Sequence, residues 1–358
     1  MKKNKFVVLA LAGVVALFLV LLIGIQAGGS REGKAKKQLT LYTWAEIFPR
    51  EILDGFEKET GYTINYVNFD EDETMMTKLQ TAGGGDYDLI IADDYIIETA
   101  IVEGLVRKLD KTKLPNYRNI NPIYQQQFYD PEDAYTVPYG AGVVTLAYDP
   151  RKVSVKIRGY ADLWDPSLKD KIGIMGNFRV INGMALKVLG QSYNTNDITV
   201  IRQAGEKLLG LAPNIRLIRD TGLEDEFLSG EIAAGVFYTD QATTVKLERP
   251  ELELVFPAEG IGFGIMAGFI PSNAPNADAA YAFLNYILDA QNGAACFEHL
   301  LYYSTYAASD PYISDELRPF LTLPEGFNID MEMIQNINEA AEEEHNRIWT
   351  AFKERSGK

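Results

Sequence analysis

The order strand, helix, strand, helix, strand between Leu39 and Tyr95 constrains this chain more than any other feature of its sequence. Leu39 to Trp44 is a short β-rich run. Pro49 to Thr60 sets Ile52, Leu53 and Phe56 on one stripe, opened by proline and closed by Gly61, which predicts a helix. Tyr62 to Phe69 is a second β-rich run. Asp72 to Leu79 carries acids in its first turn and Gly83-Gly84-Gly85 beyond its end, a second helix. Tyr87 to Ala92 is apolar enough to be a strand buried on both faces. Strands alternating with helices imply a parallel sheet with right-handed crossovers. Ligands of such sheets sit outside the carboxyl ends of the strands. There stand Trp44 and Glu46 after the first strand, and Asp93, Asp94 and Tyr95 after the third. Carboxylates beside aromatic rings suit an organic cation, through charge, hydrogen bonds and cation–π attraction.

The same pattern continues. Ile96 to Val106 reads as a helix, and Pro115 to Asp133 as an irregular stretch. Tyr135–Tyr139 and Val143–Tyr148 read as extended pieces joined by a small-residue break at Gly140-Ala-Gly142, either a hinge between domains or a plain strand with a bulge. Residues 149–265 form a second α/β unit. Its strand Lys171–Met175 ends at Asn177, and its buried strand Ile232–Phe237 ends at Tyr238 and Asp240. Gly262 to Pro271 is a second glycine-rich crossing. Tyr302 opens an aromatic loop, and Asp330 to Lys353 reads as a long C-terminal helix.

At 358 residues the chain is long enough for two domains. Residues 38–358 hold 27 basic against 49 acidic side chains, a net −22, which argues against nucleic acid and favours cationic solutes. The single cysteine, Cys296, excludes an internal disulfide or cysteine metal site. Lys2, Lys3 and Lys5 precede twenty uncharged residues, Phe6 to Ile25. That span is long enough to cross a bilayer, and its basic flank orients the body outward. Two readings stand: an uncleaved membrane anchor, or a signal peptide cleaved near Gln26–Gly29. Residues 28–38 read as a tether.

Taken together, the runs Leu41–Glu46, Phe56–Gly61, Glu73–Leu79, Tyr87–Ile91, Leu109–Leu114, Val137–Tyr139, Ala161–Trp164 and Ile270–Ala274 resemble, in order and spacing, the periplasmic spermidine/putrescine-binding proteins of ABC importers, over about residues 38–355. The resemblance implies a type II solute-binding protein, α/β in class, with a parallel or mixed sheet in each of two lobes and a two-strand hinge. The divisions it implies are 1–37 anchor or signal plus tether, 38–140 and 267–320 first lobe, 141–266 second lobe, and 321–358 a C-terminal helix packed on the second lobe. It implies a monomer that captures a polyamine between closing lobes and delivers it to permease subunits at the outer face of the cytoplasmic membrane. No cofactor, metal, catalytic residue or nucleic-acid partner is implied. Position by position, Trp44, Glu46, Tyr95 and Tyr302 match ligand-site residues, Asp93 stands in place of a serine, and Tyr238 replaces a tryptophan. The family's second-lobe carboxylates align with Asn177 and Val180. Its aromatic-x-Asp aligns with Gly264-Ile265-Met266. Asp93, Asp94 and Asp240 are the candidate replacements for the missing acids. On this reading the ligand contacts are Trp44, Glu46, Asp93, Tyr95, Asn177, Tyr238, Asp240 and Tyr302, and Trp44→Ala is expected to abolish binding.

Two other classes remain open. An enzyme would need chemistry that His299 and His345, both in helical C-terminal segments, do not assemble with any nucleophile elbow, zinc signature or phosphate loop. An anchored sensor without transport would retain the binding fold. A binding protein for another small solute is the closer alternative.

Overall fold

A computed structural model describes residues 37–219, 221–323 and 329–358. The leading half of the first lobe follows the alternation: β1 (Gln38–Thr43), α1 (Arg50–Thr60), β2 (Thr63–Asn68), α2 (Asp72–Thr81), β3 (Leu89–Asp93) and α3 (Asp94–Val102). β1 lies parallel to β3, with Leu41 beside Leu89. α1 buries Ile52 and Phe56 and ends at Gly61, whose φ of 71° is the left-handed conformation that costs glycine least. The β1 and β3 side chains point alternately to the two faces of the sheet. Leu41, Leu89 and Ile91 meet α1 on one face, and Tyr42, Ile90 and Ala92 meet α2 and α3 on the other.

β4 (Thr136–Val143) and β5 (Thr145–Tyr148) follow, separated by Val144 alone. The sequence places a break or a bulge at Gly140–Gly142, and β4 continues through both glycines with a register shift against β10 beside Gly140, between Met266 and Ala267. Their missing side chains serve packing. A Cβ on Gly140 would lie 3.0 Å from Leu300 and 3.4 Å from the Tyr302 ring, and one on Gly142 would lie 3.5 Å from that ring. The second lobe comprises β6 (Ile172–Ile174), α4 (Phe178–Val188), α5 (Ile198–Leu209), β7 (Ile215–Ile218), α6 (Leu223–Ser229), β8 (Ala234–Phe237), α7 (Thr239–Glu248) and β9 (Glu253–Val255). Its sheet order is β7-β6-β8-β5-β9. The β6 pairings are parallel, and β5 is antiparallel to both neighbours.

β10 (Ile261–Phe269) returns the chain to the first sheet. α8 (Ala277–Ile287), α9 (Ala290–Leu300), β11 (Tyr303–Ser304), α10 (Arg318–Leu321), β12 (Met331–Met333) and α11 (Glu339–Ser356) complete it. The first sheet runs β11-β4-β10-β3-β1-β2. β10 is its spine. It pairs antiparallel with β4 from Phe263 to Phe269. Along the opposite edge it pairs with β3 over Met266–Phe269 and with β12 over Ile261–Phe263.

These pairings move the expected divisions. The first passage between sheets is at Val144, not after residue 140. The second is at residues 256–260, because all of β10 belongs to the first sheet. The expected helix from Asp330 to Lys353 is a strand, a linking segment and a helix. That segment, 334–338, makes a third passage between lobes. It carries the chain from β12, in the first sheet, to α11, which packs on α4 and α5. The third passage is anchored by charge: Lys187 on α4, only 7% exposed, places Nζ 2.8 Å from Glu332 and 3.2 Å from Asp330. Asn194 Oδ1 accepts the Gln335 N–H at 2.8 Å.

α4 approaches its neighbours closely because Gly183 has no side chain. A Cβ there would lie 2.0 Å from the ring of Tyr193, which is fully buried and hydrogen-bonded through its hydroxyl to that of Tyr160 at 3.1 Å. Gly183→Val is therefore expected to destabilise the second lobe by roughly 3 kcal/mol through overpacking. A denaturation midpoint unchanged from the native chain would show that Tyr193 gives way freely.

Candidate functional site

The first turn of α4 and the carboxyl end of β3 face each other across a cavity of about 490 Å³. Each wall follows from local structure. Asp93 ends β3, and Asp94 and Tyr95 begin α3, so the strand end delivers two acids and a ring to the cleft. Glu73, from the first turn of α2, stands beside them and accepts the Tyr95 hydroxyl at 3.1 Å. Tyr302 and Met266 close the first-lobe side. On the second-lobe side, Asn177 caps α4, its Oδ1 accepting the Arg179 and Val180 N–H groups at 3.0 and 3.2 Å. Its Nδ2 donates to the Tyr238 hydroxyl at 3.0 Å. Phe178, Arg179 and Val180 line the cavity behind it, and residues 334–337 of the third passage complete the wall. Asn336 holds that passage to the first lobe, donating to Glu98 at 2.7 Å and to the Tyr95 carbonyl at 3.1 Å. Outside the cavity lies a mouth lined by Asp70, Glu71 and Glu73 opposite Phe178 and Tyr238.

The electrostatics are one-sided. Burial is the largest influence on Asp93 and pushes its carboxyl up to about 7, with the adjacent Asp94 adding to the rise. Burial also raises Asp94 to about 7, although its carboxylate accepts the Ile265 N–H at 2.8 Å. Asp72, just behind, is raised to about 8 by burial and then by Asp93. None of the leading influences on the three is a basic side chain. Across the cavity, burial lowers the Arg179 guanidinium, whose terminal nitrogen donates to the Tyr193 and Gln335 carbonyls at 3.2 Å each. An ammonium set against the first-lobe wall would meet ionisable acids and the faces of tyrosines.

Of the residues singled out from sequence, Asp93, Tyr95, Asn177, Tyr238 and Tyr302 line one cavity. Trp44, Glu46 and Asp240 are not among the lining residues. Trp44 is half-buried with its ring 4.8 Å from Phe69, and its carbonyl accepts the Tyr66 hydroxyl at 2.8 Å. Glu46 occupies a left-handed turn at φ 58°, its side chain exposed and its carbonyl 2.7 Å from His299 Nε2. Asp240 sits behind the cavity wall in the first turn of α7. There one of its oxygens is buried without a partner, and burial raises its carboxyl. The sequence reading missed Glu73, Phe178, Arg179 and the third passage. Glu73 carried a signal, being a first-turn acid in a helix that follows the sheet. Asn338, whose side chain accepts the Ala341 N–H at 2.9 Å, was the capping signal that would have moved the start of the last helix and exposed the passage before it.

The sequence signature of the bacterial extracellular solute-binding proteins matches residues 51–316. The chain is 32% identical over 280 residues to the spermidine/putrescine-binding periplasmic protein of Salmonella typhimurium, covering 78% of this chain and 80% of that protein. It is 31% identical over 290 residues to the Escherichia coli K12 protein of the same name, covering 80% and 82%. Among solved structures, the spermidine/putrescine ABC transporter substrate-binding protein PotD of Streptococcus pneumoniae superposes with a TM-score of 0.81 at 26% identity, over 89% of this chain and 99% of that one.

Proposed function

We propose, from the premise that this chain belongs to the bacterial extracellular solute-binding protein family and to its spermidine/putrescine-binding branch, that it captures a polyamine between its lobes and delivers it to the permease of an ABC importer. The observation that supports this most is the first-lobe wall. Asp93 and Asp94 reach the cavity with burial holding their carboxyls high and no basic side chain among the leading influences on them. Buried acids of this kind are costly without a counter-charge, and an alkylammonium supplies one. Tyr95, Tyr238 and Tyr302 add ring faces on both sides of the cleft. Val180 and Met266 also line the cavity, matching the methylene stem of such a ligand.

The mechanism is a population shift. A ligand touching the α4 turn and the β3 end together binds the closed arrangement more tightly than an open one, and the permease reads the closed form. The acidic mouth raises the local concentration of cations and speeds encounter. The role is capture and delivery without catalysis. The protein acts as a monomer outside the cytoplasmic membrane. Its anchor or signal segment with tether, residues 1–37, lies outside the described residues up to residue 36, and among the described residues no helix is long and apolar enough to cross a membrane.

Calorimetry with putrescine, cadaverine, spermidine and spermine, on full chain in detergent and stripped of native ligand by unfolding and refolding, tests the reading. Tyr238→Ala is expected to weaken the tightest of them about tenfold or more, the loss of a desolvated ring face. Trp44→Ala, on the same instrument, is expected to leave affinity within about threefold, because its ring is committed to packing on Phe69. Absence of heat with every polyamine would overturn the polyamine reading.

A further inference from the structure

We propose that the cleft takes one ammonium and not two: the carboxyl end of β3 receives the free amine of a polyamine, and the wall opposite receives an uncharged, acylated end. The proposal rests on the polyamine reading above and narrows it to polyamines that carry an N-acyl group at one terminus.

The charges lining the cavity are unevenly divided. Glu73, Asp93 and Asp94 stand together on the first-lobe side, and none of the lining residues there is basic. On the opposite wall the charged lining residues are Arg179, in the first turn of α4, and Glu342, in the first turn of α11. Arg179 is held in place by its Nη2, which donates to the Tyr193 and Gln335 carbonyls at 3.2 Å each. The one carboxylate on this wall, that of Glu342, already acts on Arg179. The two charges offset each other, so the wall presents no surplus of negative charge. A diamine spanning the cleft would set its second ammonium beside a guanidinium, stripped of water and without a carboxylate of its own.

The neutral groups of that wall do not make up the difference. Asn177 caps α4, and its Oδ1 already accepts the Arg179 and Val180 N–H groups at 3.0 and 3.2 Å, which occupies both lone pairs of an amide oxygen. Its Nδ2 is a donor, set on the Tyr238 hydroxyl at 3.0 Å. An ammonium carries three N–H donors and no acceptor, so neither atom of that amide satisfies it. Phe178, Val180 and Ile334 add apolar surface.

The same wall suits a secondary amide with a short alkyl cap. The methyl of an N-acetyl group is buried against Phe178, Val180 and Ile334. Its carbonyl and N–H need a donor and an acceptor, and the carboxamide of Gln335, which lines the cavity, offers both. The Gln335 main chain is fixed on both sides, its N–H on Asn194 Oδ1 at 2.8 Å and its carbonyl on Arg179 at 3.2 Å. Acylation removes the second charge and with it the cost of desolvating that charge. The remaining ammonium keeps the acids and rings at the β3 end.

Calorimetry on the full chain in detergent, stripped of native ligand, compares N-acetylputrescine with putrescine, spermidine and spermine at pH 7. N-acetylputrescine is expected to bind at least about tenfold more tightly than putrescine. Asn177→Asp keeps the shape and the cap, since aspartate caps helices as well as asparagine does, and sets a carboxylate on the opposite wall. It should reverse the preference, raising putrescine affinity about tenfold and lowering that for N-acetylputrescine. Gln335→Ala should weaken N-acetylputrescine roughly fivefold and leave putrescine within about twofold. Putrescine, spermidine or spermine binding the native chain as tightly as N-acetylputrescine, or more tightly, overturns this proposal and leaves the polyamine reading standing. Absence of heat with all four overturns both.

Discussion

Replacing Asp130 with alanine is expected to cost the first lobe about 4 kcal/mol, although Asp130 lies far from any ligand contact in the sequence. Its carboxylate is 3% exposed and accepts four hydrogen bonds: from the N–H groups of Ala134, Tyr135 and Thr136 at 2.7, 2.8 and 2.9 Å, and from the Thr136 hydroxyl at 2.9 Å. Alanine leaves those donors buried and unmatched, at about 1–3 kcal/mol for each that water cannot reach. These donors open β4, which pairs with β10 and leads to the first passage between lobes. Denaturant unfolding measures the cost. Asp130→Asn retains one acceptor oxygen but turns an amide N–H₂ toward the remaining donors, so it should fall between the two. A loss below about 1 kcal/mol in Asp130→Ala would show that the turn re-forms its hydrogen bonds with water.

The second large effect is on pH. Asp72, Asp93 and Asp94 have folded values of about 8, 7 and 7, all raised from 3.8. A raised acid favours the folded state in its protonated form. Its stabilisation is complete below the unfolded value and is lost as pH rises through the folded value. His345 has the opposite sense. Burial lowers it to about 4, so its contribution is complete above 6.5 and is lost as pH falls toward 4. Between pH 6.5 and 8.5 His345 contributes little, and the three acids are the largest contributors. The ligand-free chain should therefore lose roughly 3 kcal/mol over that interval, on the order of 10 °C in thermal midpoint. Saturating polyamine should flatten the slope, because an ammonium stabilises the ionised acids. A ligand-free midpoint that is constant or rises between those pH values would show that the acids are hydrated in the folded chain.

The parts of this protein that the sequence reading found are those fixed by local periodicity and by strand ends. The stripe at Ile52 and Phe56, the Gly61 stop and the apolar run before Asp93 placed α1 and β3 within a few residues. That Asp93, Tyr95, Asn177 and Tyr238 line one cavity was legible for one reason: each lies at or just after the carboxyl end of a strand, where parallel α/β sheets hold ligands. The same rule points to Trp44 and Glu46, which do not line the cavity. It gives the edge of the sheet on which a residue lies but not where its side chain points. At Trp44 the nearby Phe69 ring, and at Glu46 a left-handed turn carrying a carbonyl bond to His299, decided the direction.

Glycine was the least reliable guide. Gly140 and Gly142 allow a hinge or a bulged strand, and the structure has the strand, with a register shift beside Gly140 and the Tyr302 ring close to both. A missing side chain permits either a bend or a close approach, and only the neighbours decide which. β12 was missed because three residues carry too little pattern to compete with the long amphipathic run after them. Its pairing with β10 comes from residues 70 positions earlier in the chain.

The sequence alone determined the α/β alternation, the acidic body and the strand ends at which a ligand would be met. These follow from hydrophobic period and charge, which are properties of neighbours along the chain. The tertiary structure alone decided that the described residues pass three times between lobes, that Asp72 and Asp93 act on each other, and that Arg179 lines the opposite wall together with Glu342. Each of these depends on groups brought together from distant positions. Their energies arise from burial and from the partners found there, and neither exists until the sheets have formed.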